Sequence, residues 1–444
     1  MDIVRSGPRK SQVIALFVVT AECLHAQAGP RPLDAQSSDP VTMGWMTGSP
    51  PPPDKLIRFD DGSHYRFPQT RWAFSNMRQF LPTRVVARGA ARVYELPGAE
   101  RSDIDGVRFP PMGASGQPMT WAESLAANYT DGIVVLHRGS VVYERYFGVL
   151  KPEGQHAAFS VTKSFVATMA AMLIEEGALD ANAAVTRYVP ELKDSGFGGA
   201  TIRQLLDMTT GLGYSESYAE ADSPVWEFAR AIGFLPRPAG YRGPEGAYAF
   251  LQTQRKEYAH GERFSYKTVN TDALGWVISR VTGKPLAEMV RERFWSRLGV
   301  EQDAYFTVDS KGAESAGGGL SLCLRDMARF GEMMRLGGSF NGQQIVPTVV
   351  IDEIRKGGSR RQFALAGYKS LPGWSYHNMW WISHNSHGAY MARGIHGQAI
   401  YIDPKAEMVI ARFASHPLGA NVNLDPTSLP AYAALGEHLM SLPR

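Results

Sequence analysis

Two cysteines in 444 residues, Cys23 and Cys323, exclude a disulfide-stapled fold. Cys23 sits at the edge of a segment expected to be removed, so the mature chain has no pair to oxidise and depends on its core. Basic runs are missing, and the formal net charge is only +3. That excludes the electrostatic footprint of a nucleic-acid-binding protein. No apolar stretch approaches the roughly 20 residues of a membrane-spanning helix, so stable membrane association is not expected once the N-terminal segment is gone. No cluster of histidine, cysteine and carboxylate stands at metal-ligand spacing, and the expectation is no metal and no organic cofactor.

What is present is chain enough for a large core, on the usual scale of about 100–200 residues per domain. Arg5, Arg9 and Lys10 precede the apolar run Val13 to Val19, and Ala26-Gln27-Ala28 offers a small-x-small cleavage site. Residues 1–28 therefore read as a signal peptide and place the mature protein in the periplasm or outside the cell. Glu22 before Cys23 is wrong for lipid attachment. Residues 29–60, rich in Pro, Ser, Gly and Asp, read as a flexible, poorly packed leader, and residues 61–444 as the folded domain.

Within that domain, Gly132 to His137 and Ser140 to Phe147 are two β-branched and aromatic runs separated by Arg138-Gly139, a hairpin signature. Helical patterns dominate from about 180 to 310. Ser321 is expected to cap a helix from Leu324 to Leu336. Strand-like runs then appear at Met379 to Ile382, Gln398 to Ile402 and Met408 to Phe413, before a last helix from Pro430 to Met440. The pattern predicts an α+β fold. A mainly antiparallel sheet built from about 130–150 and 375–415 is flanked by helices, with an all-helical insert at about 180–310.

Between hairpin and insert lies Phe159-Ser160-Val161-Thr162-Lys163-Ser164-Phe165, which opens a run of helix formers. Residues at i and i+3 share a helix face, so the Lys163 amine can reach the Ser160 hydroxyl. A serine alcohol needs a base to attack a carbonyl, and a lysine serves as one only where its surroundings hold it neutral. The same tetrad also suits a helix N-cap followed by a solvated lysine.

Further pieces decide between these. Arg71-Trp72-Ala73-Phe74, Ser160-Val161-Thr162-Lys163, Thr201 to Met208, Tyr266-Lys267-Thr268-Val269-Asn270, Gly317-Gly318-Gly319-Leu320-Ser321, Trp380-Trp381 and Gly394-Ile395-His396-Gly397 follow one another in order. Together they resemble the serine β-lactamase and penicillin-binding-protein superfamily, in its class C-like branch, and most of all the 6-aminohexanoate-dimer (nylon oligomer) hydrolases. The resemblance implies a β-lactamase/transpeptidase-like fold and hydrolysis of a small-molecule ester or linear amide through an acyl-enzyme. It assigns Ser160 as nucleophile, Lys163 as proton partner and Tyr266 as the group that passes the proton to the leaving group. The order of proton transfer between lysine and tyrosine is left open. It further implies an oxyanion hole from the backbone N–H groups of Ser160 and Ile395, the latter on a strand opened by Gly394 to Gly397. Tyr218, Asn270, Gly394 and His396 are expected to touch substrate, with an ordinary buried histidine as the alternative for His396.

Departures from the family pattern bear on substrate. Ala392-Arg393-Gly394 stands where β-lactamases commonly carry Lys-Thr-Gly, and strand alternation is expected to leave the face toward the site without a cation. Ala229 falls where the nylon-oligomer hydrolases can carry an acidic residue, and Phe234 where they carry tryptophan. A β-lactamase or D-Ala-D-Ala-type peptidase is the alternative enzyme. A ligand-sensing protein without catalysis is the alternative of another class, and it would need none of Ser160, Lys163 and Tyr266.

Overall fold

The computed structural model describes residues 32–113 and 117–443, so the expected signal peptide lies outside the described residues. In chain order the strands that matter here are β1 (Thr83–Val86), β2 (Thr130–His137), β3 (Ser140–Tyr146), β4 (Gln155–Ala157), β5 (Ala304–Thr307) and β6 (Leu320–Cys323), then β7 (Ser375–His377), β8 (Trp380–Ile382), β9 (Tyr390–Arg393), β10 (Ala399–Asp403) and β11 (Met408–Ala414). The principal helices are α1 (Val161–Glu175), α2 (Thr268–Thr282), α3 (Leu324–Arg335) and α4 (Asp425–Met440).

The main sheet has the order β7-β8-β9-β10-β11-β2-β3, and every neighbouring pair is antiparallel. Arg138 and Gly139 both have positive φ, 52° and 82°, which matches the twist of the β2–β3 hairpin. Successive residues of β10 face opposite layers: Ile400 meets Gly331 of α3, while the Tyr401 ring lies 5.2 Å from that of Tyr432 in α4. Helices therefore cover both faces, which explains why β10 is buried throughout and reads as an apolar run without polar alternation. The class is α+β, of the β-lactamase/transpeptidase type.

A second antiparallel sheet, β1-β5-β6-β4, carries the chain toward the cleft, because β4 leads directly into α1. Between α1 and β5 lie the helices Ile202–Leu206, Pro224–Ala231 and Ala247–Thr253, followed by α2.

Two sequence expectations change. Ser321 lies inside β6 and caps nothing; Cys323 occupies the N-cap position of α3 without a side-chain cap bond. Residues 33–60 are also no loose leader. Trp45 and Ile57 are buried with Trp72, and the buried Arg71 guanidinium donates to the Ala35 carbonyl at 2.6 Å while pairing with Asp131 at 3.1 Å. The segment hides from a periodicity search because turns satisfy its backbone and its few apolar anchors are far apart. The Arg71 guanidinium, held in place by Asp131, thus also ties down the segment through the Ala35 carbonyl and the Ser38 hydroxyl.

Candidate active site

The approach to Ser160 is set by backbone shape. Ala158 N–H donates to Leu320 O at 2.9 Å, tying the end of β4 to β6, and Phe159 then adopts φ 44°, the left-handed region that bulky residues seldom occupy. This turns the chain sharply into α1 with Ser160 at its start. Every residue from Val161 to Leu173 is buried, so α1 is a fixed post rather than a surface helix.

One turn along, Lys163 Nζ lies 2.8 Å from Ser160 Oγ and also donates to the carbonyl of Gly317. Gly317 can only be glycine. A Cβ there would come within 2.3 Å of Thr268 Cγ2 and 2.7 Å of Asp272 Oδ2, so the loop could not lie against α2 and offer its carbonyl to the lysine. Burial pushes the Lys163 ammonium down to about 8, against the opposing pull of Glu216 and Asp272. That corresponds to about 3 kcal/mol against the charged form. Burial likewise pushes the Asp272 carboxyl up to about 7, with Lys163 acting against it.

Tyr266 comes from the segment before α2. Ser265 N–H donates to Met208 O at 2.8 Å and Lys267 Nζ to Thr210 O at 3.1 Å, so both flanks of the tyrosine are pinned to one turn. Its ring stacks on Trp381 with centroids 5.6 Å apart and stands 5.2 Å from Lys163 Nζ, and it lines the same cleft as Ser160. Burial raises the phenol well above its ordinary value, and the nearby Glu216 charge adds to the rise. Tyr266 is therefore a neutral proton donor in the resting site.

Ile395 reaches the cleft through a turn, not a strand. Residues Ile395–Gly397 form a short helical turn between β9 and β10, with His396 at φ 61°. Gly394 allows it: a Cβ there would lie 2.6 Å from Ala158 O, so only glycine lets this chain run against the residues that precede Ser160. Among the described residues, neither the Ser160 nor the Ile395 N–H has a protein acceptor. Both residues line a cleft of about 460 Å³ together with Tyr266.

The other expected substrate contacts divide. Tyr218 lines the cleft and donates to Glu216 Oε2 at 2.7 Å. Asn270 does not reach it: fully buried on α2, it accepts from Thr210 Oγ1 at 2.7 Å and donates to Met208 Sδ, which makes it a strut between segments. Gly394 serves through close approach and is absent from the cleft wall. His396 is a satisfied core residue. Nδ1 lies 2.7 Å from His416 O and so carries the hydrogen, while Nε2 accepts from Tyr65 OH at 2.9 Å. Burial lowers its basicity to about 4, which keeps it neutral.

Arg393 reverses an expectation. Alternation along β9 holds, but the face turned to the cleft is the arginine's, and the fully buried Ala392 points into the core. The guanidinium pairs with Asp425, itself on the cleft wall, and lies 5.0 Å from the Trp381 ring centroid. Sequence reasoning missed Asp425 and Glu216. Glu216 stands two residues before Tyr218, already expected at the substrate; Asp425, on the last helix, carries no local signal.

Fold and cleft together define the class: a hydrolase that attacks an ester or amide carbonyl with a serine hydroxyl. The beta-lactamase family model matches residues 123–429, and the chain belongs to that family. It is 35% identical over 351 residues to the 6-aminohexanoate-dimer hydrolase of Paenarthrobacter ureafaciens, covering 79% of this chain and 86% of that one. It is 28% identical over 189 residues to Esterase EstB of Burkholderia gladioli, covering 40% and 47%. A solved Bacillus anthracis structure, assigned as a 6-aminohexanoate-dimer hydrolase, superposes with a TM-score of 0.80 at 33% identity, covering 89% of this chain and all of that one.

Proposed function

We propose that Ser160 forms the acyl-enzyme, that Lys163 takes the first proton and that Tyr266 delivers a proton to the leaving group. The observation that carries this is the 2.8 Å contact between Ser160 Oγ and a buried amine whose basicity is lowered to about 8. Tyr266, held neutral, has no vacancy for that first proton but is placed to give one up, and the Lys163 ammonium, 5.2 Å from its ring, returns the proton to the phenolate once the leaving group has gone. The Ser160 and Ile395 N–H groups receive the developing oxyanion. The fold similarity to a dimer hydrolase and the partial similarity to an esterase support a small linear amide or ester as substrate.

A β-lactam reading gains a cation in the cleft, Arg393, yet Asp425 neutralises it, so the site-edge strand offers a substrate carboxylate no unpaired charge. Intact-protein mass spectrometry after incubation with an aryl ester, an aryl amide and a cephalosporin tests the reading. The expected result is an adduct of acyl mass on the Ser160 peptide, formed faster from the ester than from the cephalosporin. An adduct elsewhere, or faster trapping by the cephalosporin, overturns it.

Export to the periplasm or beyond is part of the same proposal and rests on the charged start, apolar core and Ala26-Gln27-Ala28 of residues 1–28. N-terminal sequencing of protein from its native host is expected to begin between residues 27 and 29. Full-length chain from Met1 in a cytoplasmic fraction would exclude export.

A further inference from the structure

Ser160 stands between two recesses of opposite character. The larger, about 460 Å³, holds Tyr266, Glu216, Arg263, Arg393 and Asp425. The smaller, about 90 Å³, is walled by Tyr65, Val225, Trp226, Phe228, Ala229 and Phe234, and no carboxylate, ammonium or guanidinium lines it. Its aromatic polar groups are already engaged: Tyr65 OH donates to His396 Nε2 at 2.9 Å and Trp226 Nε1 to Glu220 O at 2.9 Å. What remains polar is neutral, namely the hydroxyls of Thr268, Thr307 and Ser315.

The position of Tyr266 says which recess takes which half of the substrate. A leaving group must depart beside its proton donor, and Tyr266 lines only the larger recess. The acyl carbon is bonded to Ser160 Oγ and its substituent lies on the other side of the carbonyl. On this basis, and resting on the Ser160 assignment above, we infer that the small recess is the acyl pocket and selects a short, uncharged, apolar acyl group.

Its size and lining set the limits. At about 30 Å³ for each water- or methylene-sized group, 90 Å³ takes roughly three such groups beyond the carbonyl, which is a butanoyl chain. A terminal ammonium entering among buried Val225, Phe228 and Ala229 would lose its hydration and meet no carboxylate in the recess wall, because the Glu216 carboxylate lines the larger recess and is taken up by Tyr218 OH and the Thr268 N–H. The partner of chosen chemistry is thus a short-chain aliphatic acyl ester or amide, with its polar or charged half on the leaving side.

The test is a series of 4-nitrophenyl esters with acetyl, butanoyl, hexanoyl, octanoyl and 3-aminopropanoyl groups, read as kcat/KM at neutral pH. In the unaltered enzyme the value is expected to rise about tenfold from acetyl to butanoyl and then to stop rising. Butanoyl is expected to exceed 3-aminopropanoyl, its equal in length, at least tenfold. Ala229→Asp places a carboxylate in the recess and is expected to shift the butanoyl to 3-aminopropanoyl ratio by about a hundredfold toward the amine. The unaltered enzyme's series stands by itself should that variant fail to fold. A flat chain-length series, or equal use of the charged and uncharged chains, overturns the acyl pocket while leaving Ser160 acylation intact. No acyl adduct on Ser160 from any ester removes the underlying assignment and this inference with it.

Discussion

Replacing Ser160 by alanine is expected to lower turnover of an aryl ester by about four orders of magnitude or more and to remove the acyl adduct entirely. The fold should survive the change. Ser160 Oγ faces the cleft, and its loss leaves Lys163 still donating to Gly317 O, so no buried group becomes unpaired. Stability is expected to move by no more than about 1 kcal/mol, readable as a small shift in Tm. Steady-state rates, intact mass and a thermal melt on one preparation check all three. Retained turnover at full stability would place the nucleophile elsewhere.

Tyr266→Phe separates the two proton steps. An amide nitrogen cannot leave as an anion, so loss of the phenol is expected to lower amide hydrolysis about a thousandfold. Nitrophenolate leaves without a proton, and the matching aryl ester should lose less than about tenfold. In both the unaltered enzyme and the variant, acylation by the aryl ester is expected to rise with pH through about 8. Below that value Lys163 is mostly protonated and cannot accept; above it the neutral amine is available. Stopped-flow release of nitrophenolate across pH, beside a slow-leaving amide, gives the comparison. If ester and amide fell equally, or if the rise near 8 vanished with the phenol, Tyr266 would be the first acceptor and the roles would exchange.

Parts of this site are legible in the linear chain because they are local. Ser160 and Lys163 meet through helical periodicity alone, and the β2–β3 hairpin follows from two apolar runs around Arg138-Gly139, whose backbone takes the expected turn. Tyr266 is legible only through the family resemblance, from its place after Ser160 and just before a helix, because no local periodicity brings the two together. Asn270 and Gly394, named with the substrate contacts on the same footing, prove to be a strut and a close-approach point, because membership of a motif does not say which way a residue faces.

The sequence by itself determined that Ser160 has an amine neighbour in Lys163, that an antiparallel sheet is drawn from both ends of the domain, and that the fold depends on a core without disulfides. Tertiary structure alone decided whether that amine can act as a base. Burial lowers the basicity of Lys163 to about 8, and no local pattern encodes that burial. It also decided that Arg393 faces the cleft with its charge taken by Asp425, and that residues 33–60 pack on the domain. Backbone periodicity acts over a few residues, whereas solvation and charge pairing depend on whichever distant segments the fold brings within a few ångströms.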